Sequence, residues 1–227
     1  MLDLSTIRRI AVVAPHPDDE ILGCGGTMAR AARAGADVHA VVVTRGRPPQ
    51  FAENLVEQIR AETLRAHASI GVKQTHFLDF PAAELDRVGM STLNAALGAA
   101  LVEIEPDVLM VPFVGDIHVD HQIVFNAALV HARPRDSRAP RAVLAYETLS
   151  ETNWLAPGVT PGFLPNTYID ITDTLDAKIA AFEHFSSQIK PSPDERSIRT
   201  IRALAVIRGS TVFCSAAEGF VTIRQIV

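Results

Sequence analysis

Ile10-Ala11-Val12-Val13-Ala14-Pro15-His16-Pro17-Asp18-Asp19-Glu20-Ile21-Leu22-Gly23-Cys24-Gly25-Gly26-Thr27 runs from an unbroken apolar stretch through a knot of polar groups into a glycine-rich helix start. Five apolar residues without alternation predict a strand buried on both faces, the pattern of a parallel sheet. The pattern repeats downstream. Residues 38–44 are β-branched and apolar, and further strands are expected over 75–78, 108–113 and 143–147. Between them, helices are expected over 21–34, 53–70, 91–104 and 119–132, with Gly35 and Gly71 as stops and Pro106 just past the third. This alternation predicts an α/β protein with a mostly parallel sheet and helices on both faces. Beyond residue 150 the pattern loosens. Residues 151–166 read as a long loop, 168–171 as a short strand, and 175–185 and 195–208 as helices. No repeat or linker divides the chain, so residues 1–227 are expected to form a single domain.

Composition narrows the function classes. Hydrophobic residues make up 48% of the chain and charged ones only 21%, which supports a substantial core and excludes a disordered chain. A formal charge of −5 argues against nucleic acid as a partner, because such proteins carry a basic stripe. Cys24 and Cys214 are too few for a disulfide framework and read as reduced thiols. The N-terminus, Met1-Leu2-Asp3-Leu4-Ser5-Thr6-Ile7-Arg8-Arg9, lacks the apolar core of a signal peptide, and no apolar run is long enough to span a membrane. A soluble, cytoplasmic protein is expected, with homo-oligomerisation left open.

Two polar clusters carry the chemistry. The first is His16-Pro17-Asp18-Asp19-Glu20; the second is Asp116-Ile117-His118-Val119-Asp120-His121. Both follow predicted strands, and in open α/β sheets the crevice outside the carboxyl ends of strands is where sites form. Acidic residues at a helix start would also suit capping. Capping needs only one of them, however, and has no use for His16. Taking His16, Asp19 and His121 as ligands gives two imidazoles and a carboxylate with a fourth position open, the pattern of a catalytic zinc site with one Zn²⁺ per chain. Such a metal lowers the pKa of water to about 7 and polarises a carbonyl. Asp18 would then serve as general base. His118 would stabilise an oxyanion or act as an acid, with Asp120 or another carboxylate fixing its tautomer. Together these parts suit hydrolysis of an amide or ester.

The run 14–20, the glycines of 23–27 and His118-Val119-Asp120-His121 closely resemble the LmbE-like, or PIG-L, family of zinc-dependent N-acetylglucosaminyl deacetylases. Weaker landmarks extend the resemblance along the chain: Arg60-Ala61-Glu62, Ser187-Gln188, Arg208-Gly209 and Ala217-Glu218-Gly219-Phe220. The resemblance implies a Rossmann-like sheet, zinc on His16, Asp19 and His121, Asp18 as base and His118 at the oxyanion. It also implies an amino-sugar substrate carried on a variable aglycone. Some members place an oxyanion tyrosine two residues before the first histidine of the second motif, where this chain has Asp116. Free, nucleotide-linked and lipid-linked sugars and thiol glycosides all present the same acetamido group, so the carrier is not legible.

Three other readings compete. An amidase could act on another N-acyl glycoconjugate. His16-Pro17-Asp18 with a distal histidine fits the HxD…H triad of an iron oxygenase, though that triad belongs on all-β folds. A metal- or sugar-binding module would need no Asp18. Gly23-Cys24-Gly25-Gly26 fails as a dinucleotide fingerprint, since Met28 replaces the last glycine and carboxylates would repel a pyrophosphate; the glycines are expected to let the first helix pack closely. Arg45, Arg47 and Arg60 read either as contacts to a substrate phosphate or hydroxyl or as solvated charges. Trp154 reads as a sugar-stacking lid over the pocket or as a packing anchor. His39, His67, His76, His131 and His184 read as structural or surface residues.

Overall fold

A computed structural model describes residues 6–154, 156 and 158–227; Met1-Leu2-Asp3-Leu4-Ser5 of the N-terminal stretch and Pro157 of the long loop lie outside the described residues. The strands are β1 (Arg9–Ala14), β2 (Asp37–Arg45), β3 (Gln74–Pro81), β4 (Val108–Pro112), β5 (Ala142–Tyr146), β6 (Thr167–Asp170) and β7 (Ala217–Gln225). The helices are α1 (Asp19–Arg33), α2 (Glu53–Ser69), α3 (Met90–Ile104), α4 (Val119–His131), α5 (Leu175–Glu183) and α6 (Ile198–Thr211). The strands form one sheet in the order β3-β2-β1-β4-β5-β7-β6. β3, β2, β1, β4 and β5 are parallel, while β7 runs antiparallel to both β5 and β6.

Alternation along β1 shows why the run 10–14 is apolar throughout. Ile10 and Val12 join one core cluster, with Met28, Tyr146, Phe182 and Phe185. Ala11 and Val13 join the other, with Leu93, Leu97 and Phe125. Each face is roofed by helices, so neither set of side chains reaches water. α1 lies close on the sheet because its glycines allow it: a Cβ at Gly23 would come within 2.3 Å of the Tyr146 ring, and one at Gly26 within 2.7 Å of Ile171.

The chain winds outward from β1 in one direction through β2 and β3, and in the other through β4 and β5. β1 and β4 are neighbours, so the sheet changes winding direction between them and opens a crevice at their carboxyl ends. The two polar clusters follow those two strands. Two expectations change. β7 has no counterpart among the expected strands, because Glu218 and Gly219 follow directly on its first residue, Ala217; the buried ammonium of Lys178 neutralises that glutamate. The helix expected over 195–208 begins at Ile198, where the Ser197 side chain accepts from the Thr200 amide, leaving Arg196 on the preceding loop.

Candidate metal centre and catalytic cleft

Pro15 and Pro17 bracket His16 as the chain leaves β1, and the Pro15 carbonyl accepts from both the amide and the hydroxyl of Thr44. Asp18 then turns the chain into α1 with φ 104°, a left-handed conformation unusual for a residue with a side chain. Its carboxylate makes no capping hydrogen bond, so the capping alternative does not account for it.

Asp19 Oδ2 lies 3.3 Å from His16 Nδ1 and 3.2 Å from His121 Nε2, and accepts from the His16 amide at 2.8 Å. The far nitrogen of each ring is held by its own carboxylate. His16 Nε2 is 3.0 Å from Asp120 Oδ2, and His121 Nδ1 is 2.8 Å from Asp116 Oδ2. This is how proteins fix tautomer and orientation of metal-ligating histidines. The ligand atoms of His16, Asp19 and His121 lie within 4.8 Å of one another. Asp19 Oδ1 and His121 Nε2 are buried without a hydrogen-bond partner. A buried orphan polar atom is costly, and a cation between these groups would satisfy both, so the residues fit a divalent metal. His16, His118 and Asp120 form a second grouping of ligand type. There, however, both Asp120 oxygens already accept backbone amides, from Ala83 at 2.7 Å and Leu85 at 3.2 Å.

The electrostatics describe a proton-rich cage in the absence of metal. Burial pulls the His16 imidazole down, but hydrogen bonds to Asp120 and Asp19 outweigh it and raise its pKa to about 9. Burial likewise lowers His121, and the Asp19 and Asp116 carboxylates lift it to about 10. Burial pushes Asp18 up to about 8, against the pull of the Arg196 guanidinium. Asp19 is held well below the usual range, burial being outweighed by the two imidazoles.

His118 is lowered by burial and by neighbouring His16, and its ring meets that of His16 edge-on at 4.6 Å. The Asp120 amide donates to His118 Nδ1 at 3.1 Å, which leaves the ring proton on Nε2. The expected carboxylate support is thereby corrected. The backbone of Asp120 fixes His118, while the Asp120 side chain serves His16.

Beside the cage opens a cleft of about 240 Å³ lined in part by His16, Asp18, His118, Glu151 and Arg196. Arg45 and Arg60 lie on its wall. Trp154 is not brought there; its indole is half-exposed and donates to Glu195 at 2.6 Å. The iron-triad alternative does not assemble, because the Asp18 carboxylate is turned to Arg196 Nη1 at 3.0 Å on an α/β fold.

Sequence reasoning missed four supports. Arg196 also bonds Gln188 and Ser150, and the helix expected over 195–208 gave no sign of that role. Asp116, which stands where some relatives carry a tyrosine, orients His121. Thr152 donates to Asp116 Oδ1 at 2.6 Å, so the start of the long loop braces the cage instead of covering it. Glu20 accepts from the Asp18 amide and is held by His67, which in turn meets Thr75. The positions of Glu20 and Asp116 inside the two polar clusters could have signalled those two; nothing local marks Arg196 or Thr152. Two weak landmarks do meet: Glu62 accepts from the hydroxyls of Ser186 and Ser187 at 2.7 and 2.5 Å.

Residues 11–132 match the family model described as GlcNAc-PI de-N-acetylase, PIG-L. The chain is 30% identical to the 1D-myo-inositol 2-acetamido-2-deoxy-alpha-D-glucopyranoside deacetylase of Mycobacteroides abscessus, covering 88% of each protein. It is 24% identical to the diacetylchitobiose deacetylase of Thermococcus kodakarensis, over 94% of this chain and 82% of that one. Among solved structures, the conserved protein TT1542 from Thermus thermophilus superposes with a TM-score of 0.77 and 25% identity, covering 96% of both chains.

Proposed function

This chain belongs to the PIG-L family, and from that premise we propose that it is a zinc-dependent N-deacetylase that hydrolyses the acetamido group of an amino sugar or its conjugate. The observation that carries the reading is the buried cage of His16, Asp19 and His121. Each imidazole is anchored by a separate carboxylate, two polar atoms are orphaned, and a further carboxylate, Asp18, stands in the adjoining cleft.

A divalent ion held by His16, Asp19 and His121 supplies Lewis acidity toward the amide carbonyl and lowers the pKa of water. Asp18 takes the proton of the attacking water and delivers it to the departing sugar amine. One water and one amide thus become acetate and a free amine. His118 donates its Nε2 proton toward the oxyanion that develops on the carbonyl. Arg196 fixes the Asp18 carboxylate in the cleft, and Glu20 with His67 supports the left-handed turn that places it there. Two free cysteines suit the reducing cytoplasm in which we place the reaction. Among the described residues no helix is long and apolar enough to cross a membrane.

Acetate release from N-acetylated amino sugars by the zinc-loaded protein, alongside elemental analysis, tests the reading. Turnover with one zinc per chain is expected. Full metal occupancy in His121→Ala, or no acetate release from any amino sugar, would overturn it.

A further inference from the structure

The catalytic cleft has two unlike halves. One is the polar edge already described. The other is built by Phe51, Val56, Ile59 and Phe77, from the start of α2, the loop before it and β3. Phe51 is seated firmly, since a Cβ on Gly46 would come within 2.8 Å of its ring.

The cations along this cleft are already engaged. Arg45 bonds Glu53 and, at 2.9 Å, Glu57. Arg60 bonds Asp79 at 2.8 Å, and its guanidinium lies 3.9 Å from the centroid of the Phe77 ring. Arg196 is paired with Asp18. Of the buried donors on these three arginines, the Arg45 Nε–H alone is without a partner among the described residues. A single N–H suits a hydroxyl or ether oxygen, whereas a phosphate needs several donors and uncompensated positive charge. Stacking of Arg60 on Phe77 adds a planar face to the apolar wall instead of a charge for an anion.

We propose that this wall is a subsite for an apolar aglycone. The substrate is then an N-acetylated amino sugar carrying an aryl or alkyl group, and not a nucleotide- or phosphate-linked sugar. The inference rests on the deacetylase reading, which fixes the acyl group as acetyl and leaves the aglycone as the variable part.

The test compares kcat/KM for acetate release from methyl, butyl, hexyl and phenyl glycosides of N-acetylglucosamine, with N-acetylglucosamine 1-phosphate and N-hexanoylglucosamine as contrasts. Burial of each methylene is worth roughly fourfold, so with two or three methylene equivalents seated on this wall the hexyl and phenyl compounds should exceed the methyl one by about 10- to 100-fold. Ile59→Asn should abolish that gain, bringing the hexyl compound down to the methyl one; Phe51→Ala serves if the first variant fails to fold. Independently, calorimetry should detect hexyl glucoside, which lacks the acetamido group, binding to the wild-type protein and not to either variant. A flat alkyl series, preference for the 1-phosphate, or a gain that follows the N-acyl chain would overturn the subsite. If no glycoside were turned over, the deacetylase reading would fall, and hexyl glucoside binding would still decide the subsite.

Discussion

Asp18 and Asp19 are adjacent and chemically alike, yet a single change of backbone hand sends them to different tasks. The left-handed turn at Asp18 points one carboxylate into the cleft and buries the other between two imidazoles. Asp18→Asn keeps size and polarity but cannot take a proton. Because general-base catalysis is worth roughly 10²–10⁴ in rate, kcat should fall by that range with zinc retained. Asp19→Ala should instead lose metal and activity together, as elemental analysis would show. Near-normal turnover in zinc-loaded Asp18→Asn would defeat this division of labour. The cage also predicts a pH dependence. Without metal, His16 and His121 hold protons up to about pH 9 and 10, above the ordinary 6.5. Those protonated imidazoles contribute stability to the metal-free protein below pH 6.5, and it is lost as pH rises through 9 to 10. Metal binding must expel the same protons, so zinc affinity should climb between pH 6 and 9, by about tenfold per released proton per pH unit. Calorimetry in buffers of different ionisation enthalpy counts those protons; a pH-independent affinity would contradict the cage. Asp116→Ala frees the His121 ring and should weaken zinc binding by roughly 10–100-fold.

At the scale of elements, the segment after β5 has a different role from the lid its glycines and prolines suggest. Its first turn, the 3-10 helix Thr152–Trp154, is tied down at both ends of its short length. Thr152 braces Asp116 from beneath, and Trp154 and Asn153 both donate to Glu195 ahead of α6. Removal of the indole, which on a lid reading should raise KM, should therefore leave KM close to wild type. Thr152→Val, which removes the hydroxyl beneath Asp116, should lower zinc affinity although it touches no ligand. Steady-state kinetics of the two variants, with a zinc titration of the second, separate brace from lid. α1 offers a complementary test. Gly26→Ala would press a methyl into Ile171 and push the helix that carries Asp19 off the sheet, so overpacking of about 1–3 kcal/mol should appear as a lower Tm.

At the scale of the whole molecule, the cleft depends on a contact far along the chain from either motif. Glu218 of β7 accepts the amides of Gly26 and Thr27 in α1 and the ammonium of Lys178 in α5, which also donates to the Leu22 carbonyl at 2.7 Å. Both side chains are buried. Removing one partner of a buried pair strands the other charge, so Lys178→Met should cost about 3–5 kcal/mol. The double variant with Glu218→Gln should recover part of that loss, as chemical denaturation would report. Additive losses would show that the two groups do not act as a pair.

Residues that must be of one type at a fixed short spacing were legible without coordinates. The apolar run 10–14 admits only a doubly buried strand, and His16, Asp19, His118 and His121 have few other uses in that order. The alternation of strands and helices specified the parallel half of the sheet for the same reason, since period and β-branching are local properties. What stayed hidden depends on neighbours distant in sequence. Glu218 is only part of a weak landmark in one dimension, and its charge sits badly in a buried strand until Lys178 folds onto it, so β7 could not be seen as a strand. Arg196 reads as one more helical arginine until its loop swings it 178 positions back along the chain to Asp18. Asp116 and Asp120 are chemically interchangeable in one dimension, and only the crossing of α4 over the sheet decides which carboxylate meets which imidazole. Local pattern fixes element type and the ligand set, because both are set by short-range sterics and coordination chemistry. The partners of buried charges follow from burial, and burial exists only once the chain has closed on itself.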